Sequence, residues 1–325
     1  MITVRPFRVD TSDYEVMATV YSALAPETPF SATEWRVRDK LHDPQRALYR
    51  AIGDIDNVAV GYAEYYQLTW CADPNYIEAA VYVHPAAQRQ GVGTALWNHI
   101  HLHQVWRELQ PQHILVKVRE DWQAGRDFAA RRGFAEERRV WTSRLELATF
   151  DPVPFNGAIE RVTSQQIVLR SFAELAAEDA GFWARLYEFE QQTTCDIPSA
   201  FPVRIPSYEQ WIQFYRPDNG ALWAGSFAAI ADGKVIGVST LETIDNETDL
   251  EVGFTAVHRD YRQRGIALAL KLCAIAYARA VGATGVRTDN DSVNLPMWQI
   301  NQQLGFRRGP VWIILHRHEQ REEVT

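Results

Sequence analysis

Arg262-Gln263-Arg264-Gly265-Ile266-Ala267 stands between an apolar run, Leu250 to Val257, and a helix-prone run, Leu268 to Ala280. A strand, a basic loop with a glycine and a helix start, in that order, suit a bound phosphate. Backbone N–H groups left unpaired at a helix N-terminus point outward, and the helix dipole adds partial positive charge there. Gly265 lets the backbone approach an oxygen without a Cβ in the way. Arg262 and Arg264 add formal charge.

The arrangement occurs twice. Gln88-Arg89-Gln90-Gly91-Val92-Gly93 follows the run Ile77 to Val83 and opens a helix-prone run from Thr94 to Leu109. Both strands end in Val-His, at Val83-His84 and Val257-His258. Both units continue to a Gly-Phe pair, Gly133-Phe134 and Gly305-Phe306. Neither loop carries the Lys-Ser/Thr ending of a nucleotide-triphosphate loop, and Leu96 stands where a dinucleotide fingerprint needs its third glycine. Two copies in the same context resemble the acetyl-CoA pyrophosphate loop of the GNAT superfamily of N-acetyltransferases, here in tandem.

The rest of the chain repeats around these loops. Val257 answers Val83, Gly265 answers Gly91 and Leu270 answers Leu96, all at one offset. Lys234-Val235-Ile236-Gly237 answers Val58-Ala59-Val60-Gly61, and Ile167 to Phe172 answers Ile2 to Phe7. A near-constant offset over such a span marks an internal duplication. Residues 1–150 read as one repeat and 165–325 as the other, joined by a linker over 151–164 that contains Pro152, Pro154 and Gly157. Each repeat reads as α/β, with a mixed, mostly antiparallel sheet flanked by helices. Ser12-x-x-Glu15 is a capping-box pattern for the first helix. Leu102, Val105, Trp106 and Leu109 extend the helix after the first loop.

At 325 residues, 46% apolar and 23% charged, the chain has the composition of a folded protein of about two domains. No apolar run reaches a membrane span, and no signal segment opens the chain. Three dispersed cysteines, Cys71, Cys195 and Cys273, suit a reducing compartment, so a cytoplasmic home is expected. The net charge of −8 argues against a nucleic-acid partner and suits a cationic acceptor. The expected partner is a small-molecule or peptide amine, with the chain acting as monomer or homodimer.

The resemblance implies acetyl transfer from acetyl-CoA, as co-substrate, to a primary amine by direct attack. It places Thr255, Ala256 and Val257 along the thioester arm and Arg262 through Leu268 on the pyrophosphate. It places Asn294 on the pantetheine. In the first repeat Val83 and Gln88 through Thr94 hold the matching positions. Glu251 lies fourteen residues before Gly265, the spacing of the superfamily's catalytic glutamate. Strand alternation puts it on one face with Gly253, Thr255 and Val257, and burial would raise its pKa toward that of a useful base. The matching residue of the first repeat is Ile77, with Glu78 on the other face, so the second repeat is expected to be the catalytic one.

Many relatives carry a tyrosine acid where this chain has Asn301. The first repeat has Ala129 there and Trp122 in place of Asn294. Asn301 is therefore a catalytic-site candidate with a positioning role. His99-x-His101-x-His103 has no acidic or cysteine neighbour and reads as surface helix, and no metal is expected. Residues 193–220, rich in Pro and aromatic side chains, resemble the variable region that the superfamily places over the acceptor pocket, and the Trp and Tyr residues of 201–223 read either as pocket lining or as core. A non-catalytic acetyl-CoA-binding or sensory protein is the alternative reading.

Overall fold

The computed structural model describes residues 1–9, 12–40, 42–244 and 248–319. The chain divides into two compact units. One holds Met1–Val118, Trp122–Glu137 and the chain from Ile314 onward; the other holds Arg119–Asp121 and Arg138–Ile313.

The first unit contains β1 (Ile2–Pro6), α1 (Asp13–Leu24), α2 (Ala32–Lys40), β2 (Leu48–Ile55), β3 (Val58–Gln67), β4 (Tyr76–Val83), α3 (Val92–His101), α4 (Gln104–Leu109), β5 (His113–Arg119) and α5 (Gln123–Ala130). β1 to β4 pair antiparallel in sequence order. β4 then runs parallel to β5, but only from Tyr76 to Glu78. β6 (Ala135–Glu146) starts in this unit and continues in the other.

The second unit adds α6 (Ala158–Thr163), β7 (Val168–Ser171), α7 (Phe172–Glu178), α8 (Phe182–Thr194), α9 (Tyr208–Trp211), β8 (Phe227–Ala231), β9 (Lys234–Ser239), β10 (Glu242–Thr243), β11 (Leu250–Val252), β12 (Thr255–Val257), α10 (Ile266–Ala280), β13 (Gly285–Asp291), α11 (Leu295–Gln303) and β14 (Arg307–His318). The last strand passes from this unit into the first at Ile314. β7, β8, β9 and β12 form one antiparallel sheet. β10, β11, β13 and β6 are neighbours in a second, with β11 parallel to β13. The fold is α/β with mostly antiparallel pairing.

Two small residues bring the helix after each loop close to the sheet. A Cβ on Gly61 would sit 2.8 Å from the Tyr82 carbonyl oxygen and 3.2 Å from Leu96 of α3. A Cβ on Gly237 would meet Ile266 of α10 at 3.0 Å and Leu270 at 3.4 Å. Ile266, Ala269 and Leu270 are thereby buried against Ala229 and Ile236. Burying a side chain the size of Ile266 or Leu270 contributes about 1.5–3 kcal/mol.

The expected helix from Thr94 to Leu109 is two helices. It stops at Leu102, which is 68% exposed, and His103 is extended as it opens α4. Tyr65 and Tyr49 hold the His103 ring, by a 2.8 Å hydrogen bond and by stacking. Ser12 makes no side-chain cap. Asp13 is buried instead, receiving two bonds of 2.7 Å from Arg5. Complete capping boxes occur at Ser171-Glu174 and Ser207-Gln210. The run Leu250–Val257, expected as one strand, is two strands separated at Gly253-Phe254.

Candidate functional site

The two glycine loops have the same backbone. Gln263 and Gly265 are left-handed at φ 62° and 81°, and Arg89 and Gly91 at 63° and 94°. Such alternation turns successive N–H groups into one concavity at the helix start. Side-chain bonds repeat as well. Arg262 Nε donates to the Val257 carbonyl at 3.1 Å, and Gln88 Nε2 to the Val83 carbonyl at 3.1 Å. His258 Nδ1 accepts from the Asp260 N–H, and His84 Nδ1 from the Ala86 N–H, each at 3.3 Å. Both histidines therefore cap the short turn that opens the loop.

In the second unit the loop borders a cavity of about 440 Å³, lined by Gln263, Arg264, Gly265 and Leu268 and, across from them, by Ala158, Arg161 and Gln165. Gln165 Nε2 donates to the Arg264 carbonyl at 3.3 Å. Arg161 adds a cation from α6, a segment whose sequence reads as linker. Arg262 is ion-paired with Asp196. Arg264 lies over the Tyr261 ring, 4.9 Å from its centre. Ile266 is buried under the loop, while Gln90 and Thr94 are exposed at the first loop. Val92 is buried, and a Cβ added at Gly93 would meet the Phe128 ring at 3.5 Å.

Strand register locates the carboxylates. In the second unit Glu251 lies opposite Arg287 of β13; in the first, Glu78 lies opposite Leu115 of β5. On the loop side, Val257 pairs with Gly237 and Val83 with Gly61. Five residues separate Glu251 from Val257, but four separate Glu78 from Val83. The second unit thus has one extra residue, at the Gly253-Phe254 break, which acts as a bulge. Two expectations are corrected by this. Glu78, not Ile77, is the counterpart of Glu251. Glu251 also does not share a face with Val257. Leu250 and Val252 pack with Leu272 and Ile275 of α10, and Val257 packs with Ile266 and Leu270 of the same helix. Glu251 points to the other face, where Phe254 and Ala256 meet the aromatic cluster of α8 and α9.

That face differs between the units. In the first, Tyr82 stands where the second has Ala256, and it packs on Tyr62 at 4.9 Å and Tyr21 at 5.6 Å between ring centres. Glu78 is ion-paired with Lys117 at 3.1 Å. Arg50 is bound to Glu64 at 2.7 Å and to Asp39 at 2.6 Å beside them. In the second unit Glu242 of β10 lies directly opposite Glu251, so their side chains share the face. The Glu242 carboxylate fills the space that a side chain at Gly253 would need. Burial raises its pKa, and among the described residues no hydrogen bond or ion pair holds it. Glu190 of α8 is buried nearby. Burial pushes its carboxyl up to about 7, against the bonds donated by Trp211 Nε1 and Tyr215 Oη. Tyr215 in turn senses the charge of Glu242.

Glu242, Glu190 and Arg161 are the residues that sequence reasoning missed. A carboxylate just past the end of β9 was the one local signal for Glu242.

Asn294 caps α11, its Oδ1 accepting from the Met297 N–H at 3.4 Å. Asn301 is fully buried and donates to Asn290 Oδ1 at 2.7 Å, with its own Oδ1 lacking a partner. Asn290 Nδ2 reaches Ser143 Oγ at 2.8 Å. Thr255 Oγ1 is 3.1 Å from Ser239 Oγ. Burial raises the Cys273 thiol to about 11. His99 is bound by Tyr49 and His103 by Tyr65.

The strand, left-handed glycine loop and helix thus occur twice, each on strands that pair mostly antiparallel. The chain belongs to the Acetyltransferase (GNAT) family, which matches residues 14–134 and again 183–306. It is 23% identical over 252 residues to a mycothiol acetyltransferase of a Parafrankia species, covering 71% of this chain and 73% of that one. It resembles a GCN5-related N-acetyltransferase from Sphaerobacter thermophilus, with a TM-score of 0.70 and 20% identity over 98% of this chain and 95% of the other. A tandem GNAT protein from the clavulanic acid biosynthesis pathway aligns with a TM-score of 0.71 and 19% identity, over 99% of this chain and all of that one. At these identities the structural matches speak for the fold alone. Among the described residues no helix is long and apolar enough to cross a membrane.

Proposed function

We propose that the second unit is an N-acetyltransferase, taking acetyl from acetyl-CoA to a primary amine, and that the first unit does not catalyse. The observation that carries this reading is the break at Gly253-Phe254, one short strand before the left-handed loop and beside the Glu242–Glu251 pair. The pyrophosphate would lie on the N–H groups of 263–268, with Arg161 and Arg264 beside it. The thioester arm would follow Thr255 to Val257 into the gap beside the break.

An ammonium acceptor must lose a proton before it attacks. Glu242, raised by burial, is suited to take it, with Glu251 on the same face opposite it. The nitrogen lone pair then forms the C–N bond as the C–S bond breaks, and the second nitrogen proton passes to the departed CoA thiolate or to solvent. The CoA thiolate has an ordinary thiol-like pKa and leaves without a tyrosine acid. Asn301, sealed beside Asn290, holds α11 against β13 rather than handling protons. The aromatic rings of Trp183, Tyr187, Trp211 and Trp223 on the same side suit an amine with a cationic or apolar body. A cytoplasmic location accords with three free cysteines.

A screen of primary amines for CoA release tests the reading. With an accepted amine, Glu242→Gln should lower kcat at least about a hundredfold and abolish the rising acid limb of the pH profile, with acetyl-CoA affinity retained. The limb lies above the ordinary carboxylate range, because burial raises this group. An unchanged profile would remove Glu242 from the chemistry. The second reading, a non-catalytic acetyl-CoA-binding protein, is favoured by the sealed Asn301 at the acid's position. Tight acetyl-CoA binding without CoA release for any amine would select it.

A further inference from the structure

We infer that His113, His316 and His318 form a binding site in the first unit for a borderline divalent metal, zinc above all. His316 and His318 are two apart on β14, so alternation puts both on one face. His113 opens β5, the neighbouring strand. One ligand nitrogen from each ring lies within 4.8 Å of the other two.

A tetrahedral zinc with Zn–N bonds of about 2.0–2.1 Å needs nitrogens about 3.3 Å apart. His113 Nδ1 and His316 Nε2 are already 3.1 Å apart. His318 is the exposed member and can close the remaining distance by turning its ring.

Two further contacts orient the rings as a metal site requires. Glu137 Oε2 lies 2.8 Å from His316 Nδ1. A carboxylate accepts there, so Nδ1 carries the hydrogen and the Nε2 lone pair faces His113. A carboxylate behind a ligating histidine fixes its tautomer and raises its basicity. Tyr76 stacks flat on His113, 4.0 Å between centres at an interplanar angle of 3°. Three imidazoles with no cysteine select zinc, cobalt, nickel or copper over calcium or magnesium. The exposed side at His318 leaves a fourth position to solvent. The sequence carries no sign of the site, since His113 and His316 are 203 positions apart.

The test uses the full chain without a polyhistidine tag, stripped with chelator. Calorimetric titration with zinc chloride should give one equivalent per chain, and zinc should raise the thermal midpoint. Cobalt should give the visible absorption of a tetrahedral site. His318→Ala, exposed and tolerant of change, and His113→Phe, which keeps a ring under Tyr76, should each abolish stoichiometric uptake. Glu137→Gln should keep the stoichiometry and weaken affinity about tenfold or more. No stoichiometric uptake by the unaltered chain, or uptake retained in both histidine variants, would overturn the site. An octahedral cobalt spectrum would overturn the three-nitrogen geometry.

Discussion

Glu190 sits among aromatic rings with both oxygens accepting, from Trp211 and Tyr215. Burial wins over those bonds and places its pKa at about 7, against an ordinary 4.5. The folded state therefore holds a proton that the unfolded state releases between those values. The stabilisation from that proton is complete below about 4.5 and is lost as pH rises through about 7. The loss amounts to about 3 kcal/mol. Thermal melts from pH 4.5 to 8 should show this decline, and Glu190→Gln should remove it whatever its absolute stability. An equal slope in the variant would assign the decline to another group. None of this was legible from sequence, because a glutamate within an amphipathic helix looks the same whether its head is wet or buried. Glu242 was hidden for a related reason. Its importance comes from pairing with Glu251 across strands, and a linear reading sees only the nearer motif.

At the scale of elements, the loops were legible and the strand before them was not. A left-handed glycine, a basic neighbour and a helix start are local features, so Gly265 and Gly91 announced themselves. The extra residue at Gly253 did not. A constant offset on the loop side hides a shift of one residue upstream, and with a period of two that shift exchanges the faces. It made Ile77 look like the partner of Glu251, when register gives Glu78. The helix after the second loop holds another surprise. Lys271 in α10 is fully buried, its amine without a hydrogen-bond partner and 5.8 Å from the centre of the Phe306 ring, and burial lowers its pKa from 10.5 to about 7. Here the unfolded state binds the extra proton, so stability rises with pH from about 7 to 10.5, opposite in sign to the effect of Glu190. Lys271→Met keeps the length of the side chain and removes the orphaned amine. It should stabilise the protein by about 1–2 kcal/mol near neutral pH and flatten the alkaline slope. Destabilisation would mean that the amine has a polar partner, such as a buried water.

For the whole molecule, duplication poses the question of which repeat would hold acetyl-CoA under the proposed function. Both loops keep the left-handed pair, the side-chain tie to the strand end and the capping histidine, so loop geometry alone does not separate them. The neighbouring strands do. β4 is unbroken, and its face is filled by Tyr82, Tyr62 and the Arg50–Glu64 pair; the second unit has a break, Ala256 and a carboxylate pair. A fold with one site should therefore respond unequally to the same change in its two loops. Gly265→Glu puts a side chain at φ 81°, where strain of about 1 kcal/mol is expected, and sets a carboxylate against the pyrophosphate. Gly91→Glu imposes the same strain and charge at φ 94°. Calorimetric titration with acetyl-CoA should show one site in the unaltered chain, lost in Gly265→Glu and kept in Gly91→Glu. The matched strain makes each variant the folding control for the other. The reverse pattern would move the cofactor to the first unit, and two sites, each lost to its own substitution, would make the filled face of the first unit irrelevant to binding.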